Sequence, residues 1–128
     1  MAKRRTVLAI DDDDTMLDLI EVFLDIEGYG CHRAPSFEDG MTAVKHNNFA
    51  FVIADIFMAG MGGIEGIRQL KQFDPFIPVM AISGGFQGMA GEKTVAAAQA
   101  VGADAGLAKP FDRKSFKAAF EVLKSAAF

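Results

Sequence analysis

Apolar runs of strand length alternate along the chain with longer segments of helical period. Thr6 to Ile10 is a short β-rich run, ended by the four acids Asp11 to Asp14. Met16, Leu19, Ile20, Phe23 and Leu24 then follow the i, i+3, i+4, i+7, i+8 spacing of an amphipathic helix, which stops near Gly28. A second strand fits around Tyr29 to Ala34. Ser36, with Asp39 in the following turn, reads as the N-cap of a helix that buries Phe37, Met41 and Val44. Phe49 to Ala54 is the third apolar run and ends at Asp55. Ile64, Ile67 and Leu70 mark a third helix, closed by Asp74-Pro75. The fourth strand, Ile77 to Ile82, ends at Ser83. A glycine-rich loop with Gly84, Gly85, Gly88 and Gly91 leads into an Ala-rich helix that runs to Gly102. A fifth strand near Ala105 to Ala108 precedes Lys109-Pro110. The last helix starts near Asp112 and presents Phe116, Ala119, Phe120 and Leu123 on one face.

Five strand–helix pairs with near-continuously apolar central strands predict an α/β fold with a parallel sheet covered on both faces. Right-handed crossovers then limit the topology to a three-layer doubly wound domain. The 128 residues fit one domain, 1–128, without linker or repeat. Hydrophobic residues make up 51% of the chain, twelve Phe and seven Met among them, so a packed core is expected. A net charge of −4 argues against nucleic acid as the main partner; the basic start Lys3, Arg4, Arg5 is too short to change that. No apolar run is long enough to cross a bilayer, and the first apolar run is too short for a signal-peptide core. The single Cys31 cannot form an internal disulfide and reads as a small core residue. A reducing cytoplasm is the expected setting.

In open α/β sheets, ligands bind beyond the carboxyl ends of the strands. The residues that fall there are Asp11 and Asp12 after the first strand, Asp55 after the third, Ser83 after the fourth and Lys109 after the fifth. Crowded carboxylates call for a cation, and a hard divalent ion such as Mg²⁺ suits an oxygen-rich site that shares a phosphate. One carboxylate can then act as a nucleophile toward phosphorus, while an ammonium and a hydroxyl neutralise the transferring oxygens. Each residue alone has an ordinary reading. An acid run caps a helix, Asp14 is an N-cap or first-turn acid, and Ser83 or Lys109 belongs to a turn. Their joint placement at strand ends decides for chemistry.

These motifs resemble the receiver domain of two-component response regulators over nearly the whole chain. Val7-Leu8-Ala9-Ile10-Asp11-Asp12-Asp13 is similar to the family's first strand and acidic pair. Phe51-Val52-Ile53-Ala54-Asp55-Ile56-Phe57-Met58, with Gly63 downstream, is similar to the strand that carries the phosphoacceptor. Val79-Met80-Ala81-Ile82-Ser83-Gly84 and Gly102-Ala103-Asp104 leading to Lys109-Pro110-Phe111 resemble the remaining two motifs. The resemblance implies a flavodoxin-like fold with strand order 2-1-3-4-5, and Asp55 as phosphoacceptor. It implies Mg²⁺ (or Mn²⁺) held by Asp12, Asp55 and the Phe57 carbonyl with Asp11 assisting. Lys109, Ser83 and the Gly84 amide would contact phosphoryl oxygens, and the Lys109-Pro110 bond would be cis. The implied donor is a phosphohistidine on a sensor histidine kinase or a histidine phosphotransfer protein. The chain would be a switch that catalyses only its own phosphorylation and dephosphorylation.

Several positions depart from the family pattern. Gly106 stands where an aromatic switch residue is frequent, Ala59 replaces a proline, and Gly62 replaces an acid. The loop after Ser83 is longer and richer in glycine, which predicts ordering by a Ser83–phosphoryl contact. Phe57 and Gly85 lie where polar side chains often control water attack. Two rival readings remain. Asp11-x-Asp13-x-Thr15 fits the signature of haloacid-dehalogenase-like phosphatases, with Asp11 as nucleophile and Asp13 as general acid, but a late acidic pair is missing. A receiver-like interaction module that takes no phosphate is the other, kept open by Gly106.

Overall fold

A computed structural model of the chain describes residues 5–56, 62–84, 96, 98–100 and 102–127. The order of elements is β1 (Thr6–Ile10), α1 (Asp14–Ile26), β2 (Gly30–Ala34), α2 (Phe37–His46), β3 (Phe51–Asp55), α3 (Gly63–Phe73), β4 (Val79–Ser83), β5 (Ala105–Ala108) and a C-terminal helix (Arg113–Ala126). All strand pairs are parallel and the sheet runs β2-β1-β3-β4-β5. This is the doubly wound, flavodoxin-like arrangement expected from the alternation of elements. Ala96 and Ala98 to Ala100, in the predicted Ala-rich helix, are helical; the start of that helix, the glycine-rich loop from Gly85 on, Phe57 and Ala59 lie outside the described residues.

The strands are apolar throughout because both faces of the sheet are covered. Leu8, Ile10, Val52, Ala54, Val79 and Ala81 point to one side and pack with Phe37, Val44, Ile67 and Leu70 of α2 and α3. Their neighbours Val7, Ala9, Phe51, Ile53, Met80 and Ile82 point to the other side. There they meet Leu17, Ile20 and Leu24 of α1 and Phe116, Phe120 and Leu123 of the C-terminal helix. The close approach of α2 and α3 rests on Gly66, where a Cβ would sit 2.4 Å from the Phe37 ring.

Local chemistry sets the ends of the helices. Ser36 accepts the Asp39 N–H at 3.0 Å, as the N-cap reading predicts. Asp112 and Ser115 form a reciprocal capping box on the C-terminal helix. The first helix stops where Gly28 takes φ +87°, a left-handed conformation that glycine adopts without strain. Its N-cap is Asp13, whose carboxylate accepts the Thr15 and Met16 N–H groups, and Asp14 is the first-turn acid. The Lys109-Pro110 bond is cis.

Candidate functional site

Parallel strands in register bring their carboxyl ends to one rim. Ile10 is aligned with Ala54, Asp55 with Ile82, and Ser83 with Ala108. The residue that follows β1, the last of β3, the last of β4 and the one that follows β5 are therefore neighbours: Asp11, Asp55, Ser83 and Lys109. Asp11 and Ser83 are wholly buried and Asp55 nearly so, at 6% exposure, whereas Asp12 and Gly84 are exposed.

Carboxylate oxygens of Asp11, Asp12 and Asp55 lie within 4.8 Å of one another, and among the described residues they form a group that could hold a metal ion. The Lys109 ammonium stands 3.1 Å from Asp55 Oδ2 and 3.6 Å from Asp11 Oδ2. Its backbone N–H donates to the Ser83 carbonyl at 2.8 Å, which fixes the end of β5 against the end of β4. Gly84 lies against the Lys109 stem, where a Cβ would stand 3.6 Å from the Lys109 Cβ.

Asp11 is held from below by its own backbone N–H, which donates to Ala34 of β2 at 3.1 Å. Its Oδ1 accepts the Asp13 N–H at 2.9 Å. The buried Oδ2 accepts no hydrogen bond from the described residues. Burial pushes the Asp11 carboxyl up from 3.8 to about 6; the Asp13 N–H opposes that, Asp55 adds to it, Lys109 opposes it and Asp12 adds again. For Lys109 burial works against the charged form, but the Asp55 and Asp11 carboxylates outweigh it and hold the ammonium above its usual range.

A buried carboxylate oxygen with no hydrogen bond, offset only by the Lys109 ammonium at 3.6 Å and facing two further carboxylates, fits an oxygen-seeking divalent cation, and so does the exposure of Asp12, which leaves room for water ligands. The Phe57 carbonyl, expected as a further ligand, lies outside the described residues. Asp13, the acid that the phosphatase reading required, is committed to capping α1.

Spacing alone did not reveal Arg33. From the edge of β2 its guanidinium donates to Asp18 at 2.8 Å, to Glu21 at 3.0 Å and to the Asp14 carbonyl at 3.2 Å. It ties the first turns of α1, next to the acid loop, to the sheet. Gly106 lies in β5 opposite Ala81 and brings no side chain to the rim. No helix of the described residues is long and apolar enough to cross a membrane.

A family model for the response regulator receiver domain matches residues 7–121. Among solved structures, the chain is similar to a response regulator receiver domain protein (CheY-like) from Methanospirillum hungatei JF-1. That likeness has 22% identity and a TM-score of 0.83 and covers 97% of each chain. A response regulator receiver domain protein from Clostridium thermocellum is 26% identical with a TM-score of 0.81, over 95% of this chain and 93% of that one. The receiver domain of NtrX from Brucella abortus is also 26% identical, with a TM-score of 0.82 over 93% of this chain and 98% of that one. No curated protein sequence matches the chain.

Proposed function

The chain belongs to the response regulator receiver domain family, and on that premise we propose that it is a phosphoryl-accepting switch whose acceptor is Asp55. The donor is a phosphohistidine on a sensor histidine kinase or a histidine phosphotransfer protein. The observation that carries this reading is the Lys109 ammonium 3.1 Å from Asp55 Oδ2, beside the Asp11 and Asp12 carboxylates.

A carboxylate oxygen of Asp55 attacks phosphorus, the phosphorus–nitrogen bond to the imidazole breaks, and its electron pair returns to the ring. The product is an acyl phosphate on Asp55. Lys109, already beside the acceptor oxygen, shifts its ammonium onto a phosphoryl oxygen. Ser83 and the Gly84 amide are the remaining donors, from the end of β4. Asp11, Asp12 and Asp55, with the Phe57 carbonyl, would hold Mg²⁺ (or Mn²⁺). Bound there, the cation neutralises the crowded acids and the incoming phosphoryl charge. The modified state is read by a protein partner, and the setting is the cytoplasm.

Mass spectrometry after incubation with acetyl phosphate and Mg²⁺ tests the reading. One phosphoryl adduct is expected on Asp55, lost in Asp55→Asn and lost when a chelator replaces the cation. An unmodified wild type, or equal labelling of Asp55→Asn, overturns it. Steady turnover of a phosphate ester that survives Asp55→Asn but not Asp13→Asn would move the chain to the phosphatase reading.

A further inference from the structure

The three acids of the rim are not equally supported by the sheet. Asp55 is the last residue of β3, and Asp11 is wholly buried after the end of β1, so packing fixes both. Asp12 is exposed. Its carboxylate lies within 4.8 Å of the other two, and the backbone that carries it sets that position. This backbone is the short link Asp11 to Asp14 between β1 and α1.

Two consecutive residues of β2 grip the link at its two ends. The Ala34 carbonyl accepts the Asp11 N–H at 3.1 Å. The Arg33 guanidinium donates from Nη2 to the Asp14 carbonyl at 3.2 Å. Arg33 reaches that carbonyl because its register partner on β1 is Ala9, which packs on the α1 side of the sheet. Side chains in register on parallel strands share a face, so Arg33 is aimed at α1 as well. Its Nη1 donates to Asp18 at 2.8 Å and to Glu21 at 3.0 Å. Anchored on two carboxylates and a carbonyl, the planar guanidinium is held in one orientation. An exposed ion pair by itself adds little to stability. Here the same group closes a frame around an acid of the site.

We propose, resting on the reading of Asp11, Asp12 and Asp55 as cation ligands, that Arg33 is a positioning residue for the cation site. By clamping the Asp14 end of the link against β2, it fixes the Asp12 carboxylate where a divalent cation takes it. Arg33 itself touches neither the cation nor a phosphoryl oxygen. The sign of the effect separates positioning from plain electrostatics. Arg33 carries positive charge, so its removal would by Coulomb attraction alone draw a cation in more tightly. A loosened link does the opposite.

Mg²⁺ titration of the full chain, followed by the amide signals of residues 11 to 15, tests the proposal. Arg33→Met keeps the apolar stem on the strand and should bind Mg²⁺ about tenfold more weakly, the low end of what partners behind metal ligands contribute. Arg33→Gln, which keeps a polar side chain there, should show the same loss. In chelator, the ¹⁵N order parameters of Asp12 and Asp13 should fall in both variants while those of β3 and β4 stay at the wild-type level. Unchanged or tighter Mg²⁺ binding in the variants, or order parameters of Asp12 and Asp13 equal to the wild type, overturns the proposal and leaves the cation site standing. A wild type whose rim takes no Mg²⁺ overturns the cation reading itself, and the proposal with it.

Discussion

At one edge of the sheet Asp11, Asp55 and Ser83 are buried together with the Lys109 ammonium against them. At the other, the rings of Tyr29, Phe51 and Phe120 meet with centroids 5.1 to 5.6 Å apart. Both edges belong to the same five-stranded sheet. The aromatic edge takes apolar rings out of water, a transfer that is favourable in itself. The acid edge keeps charge in a dry place, and a cation, a proton or the single ammonium must offset that cost. Stability is therefore concentrated at one end of the molecule and responsiveness at the other.

The largest effect that tests this division comes from the aromatic edge. Phe120 is fully buried and touches Tyr29, Phe51 and Phe116. Phe120→Ala should lower the unfolding free energy by about 3–5 kcal/mol, the usual range for truncating a buried ring. Urea unfolding measures the loss. The rim stands at the far end of the strands, so the folded fraction should still take phosphoryl groups from acetyl phosphate. If that variant unfolds near the wild-type midpoint, the aromatic edge is not where stability resides.

The acid edge should show the reverse, a substitution that stabilises. Asp11 has a carboxyl near 6 in the fold, against 3.8 in the open chain. Above pH 6 the group is ionised in both states, and the folded state bears the whole cost of the buried charge. As the pH falls from 6 to 4 the folded state takes up a proton before the unfolded state does, and the cost disappears. A displacement of that size corresponds to about 3 kcal/mol. Without Mg²⁺, Asp11→Asn should thus be more stable than the wild type at pH 7.5 by up to that amount, and the gap should close by pH 4. Saturating Mg²⁺ should raise the wild-type midpoint and move the variant far less. Thermal melts at the two pH values, with chelator and with Mg²⁺, give all four numbers. A wild type more stable than Asp11→Asn in chelator at pH 7.5 would remove the claim that the rim is held at a cost.

The positions of Asp11, Asp55, Ser83 and Lys109 were legible in the sequence for a physical reason. A strand buried on both faces is apolar to its last residue, so its end is marked by the first polar side chain, and parallel strands present those ends together. Helix faces were less legible. On α1 the expected Ile20 and Leu24 are buried and Met16 and Phe23 pack against the same core, but Leu17, which the spacing passed over, is buried as well, while Leu19 is only half-buried. In the run Asp11 to Asp14 every residue can cap a helix. Asp13 is selected because its N–H also serves Asp11, a contact that only the fold creates. A cavity at the far edge draws its walls from separated stretches of chain, around positions 5, 29, 50 and 76, and no local pattern announces it.

The smallest predicted effect uses the same physics on a group whose charge is never needed. Cys31 lies near the aromatic end of β2, and burial, followed by the Glu21 carboxylate and opposed by Arg33, pushes its thiol up from 9.0 to about 11. The direction matches Asp11, but the consequence does not, because a thiol titrating there is neutral in both states at pH 7. Its contribution to stability depends on pH only above about 9, where the unfolded chain begins to lose the proton and the folded chain does not. Cys31→Ala should accordingly differ from the wild type by a constant, small amount from pH 5 to 8, with no trace of the slope that Asp11 produces. Alkylation of the native thiol at pH 8 should run about a hundredfold slower than in urea, since only the thiolate reacts. Equal rates in the two states would mean that the dry environment of the sheet does not reach this strand, and that desolvation at Asp11 is a property of the acid cluster alone.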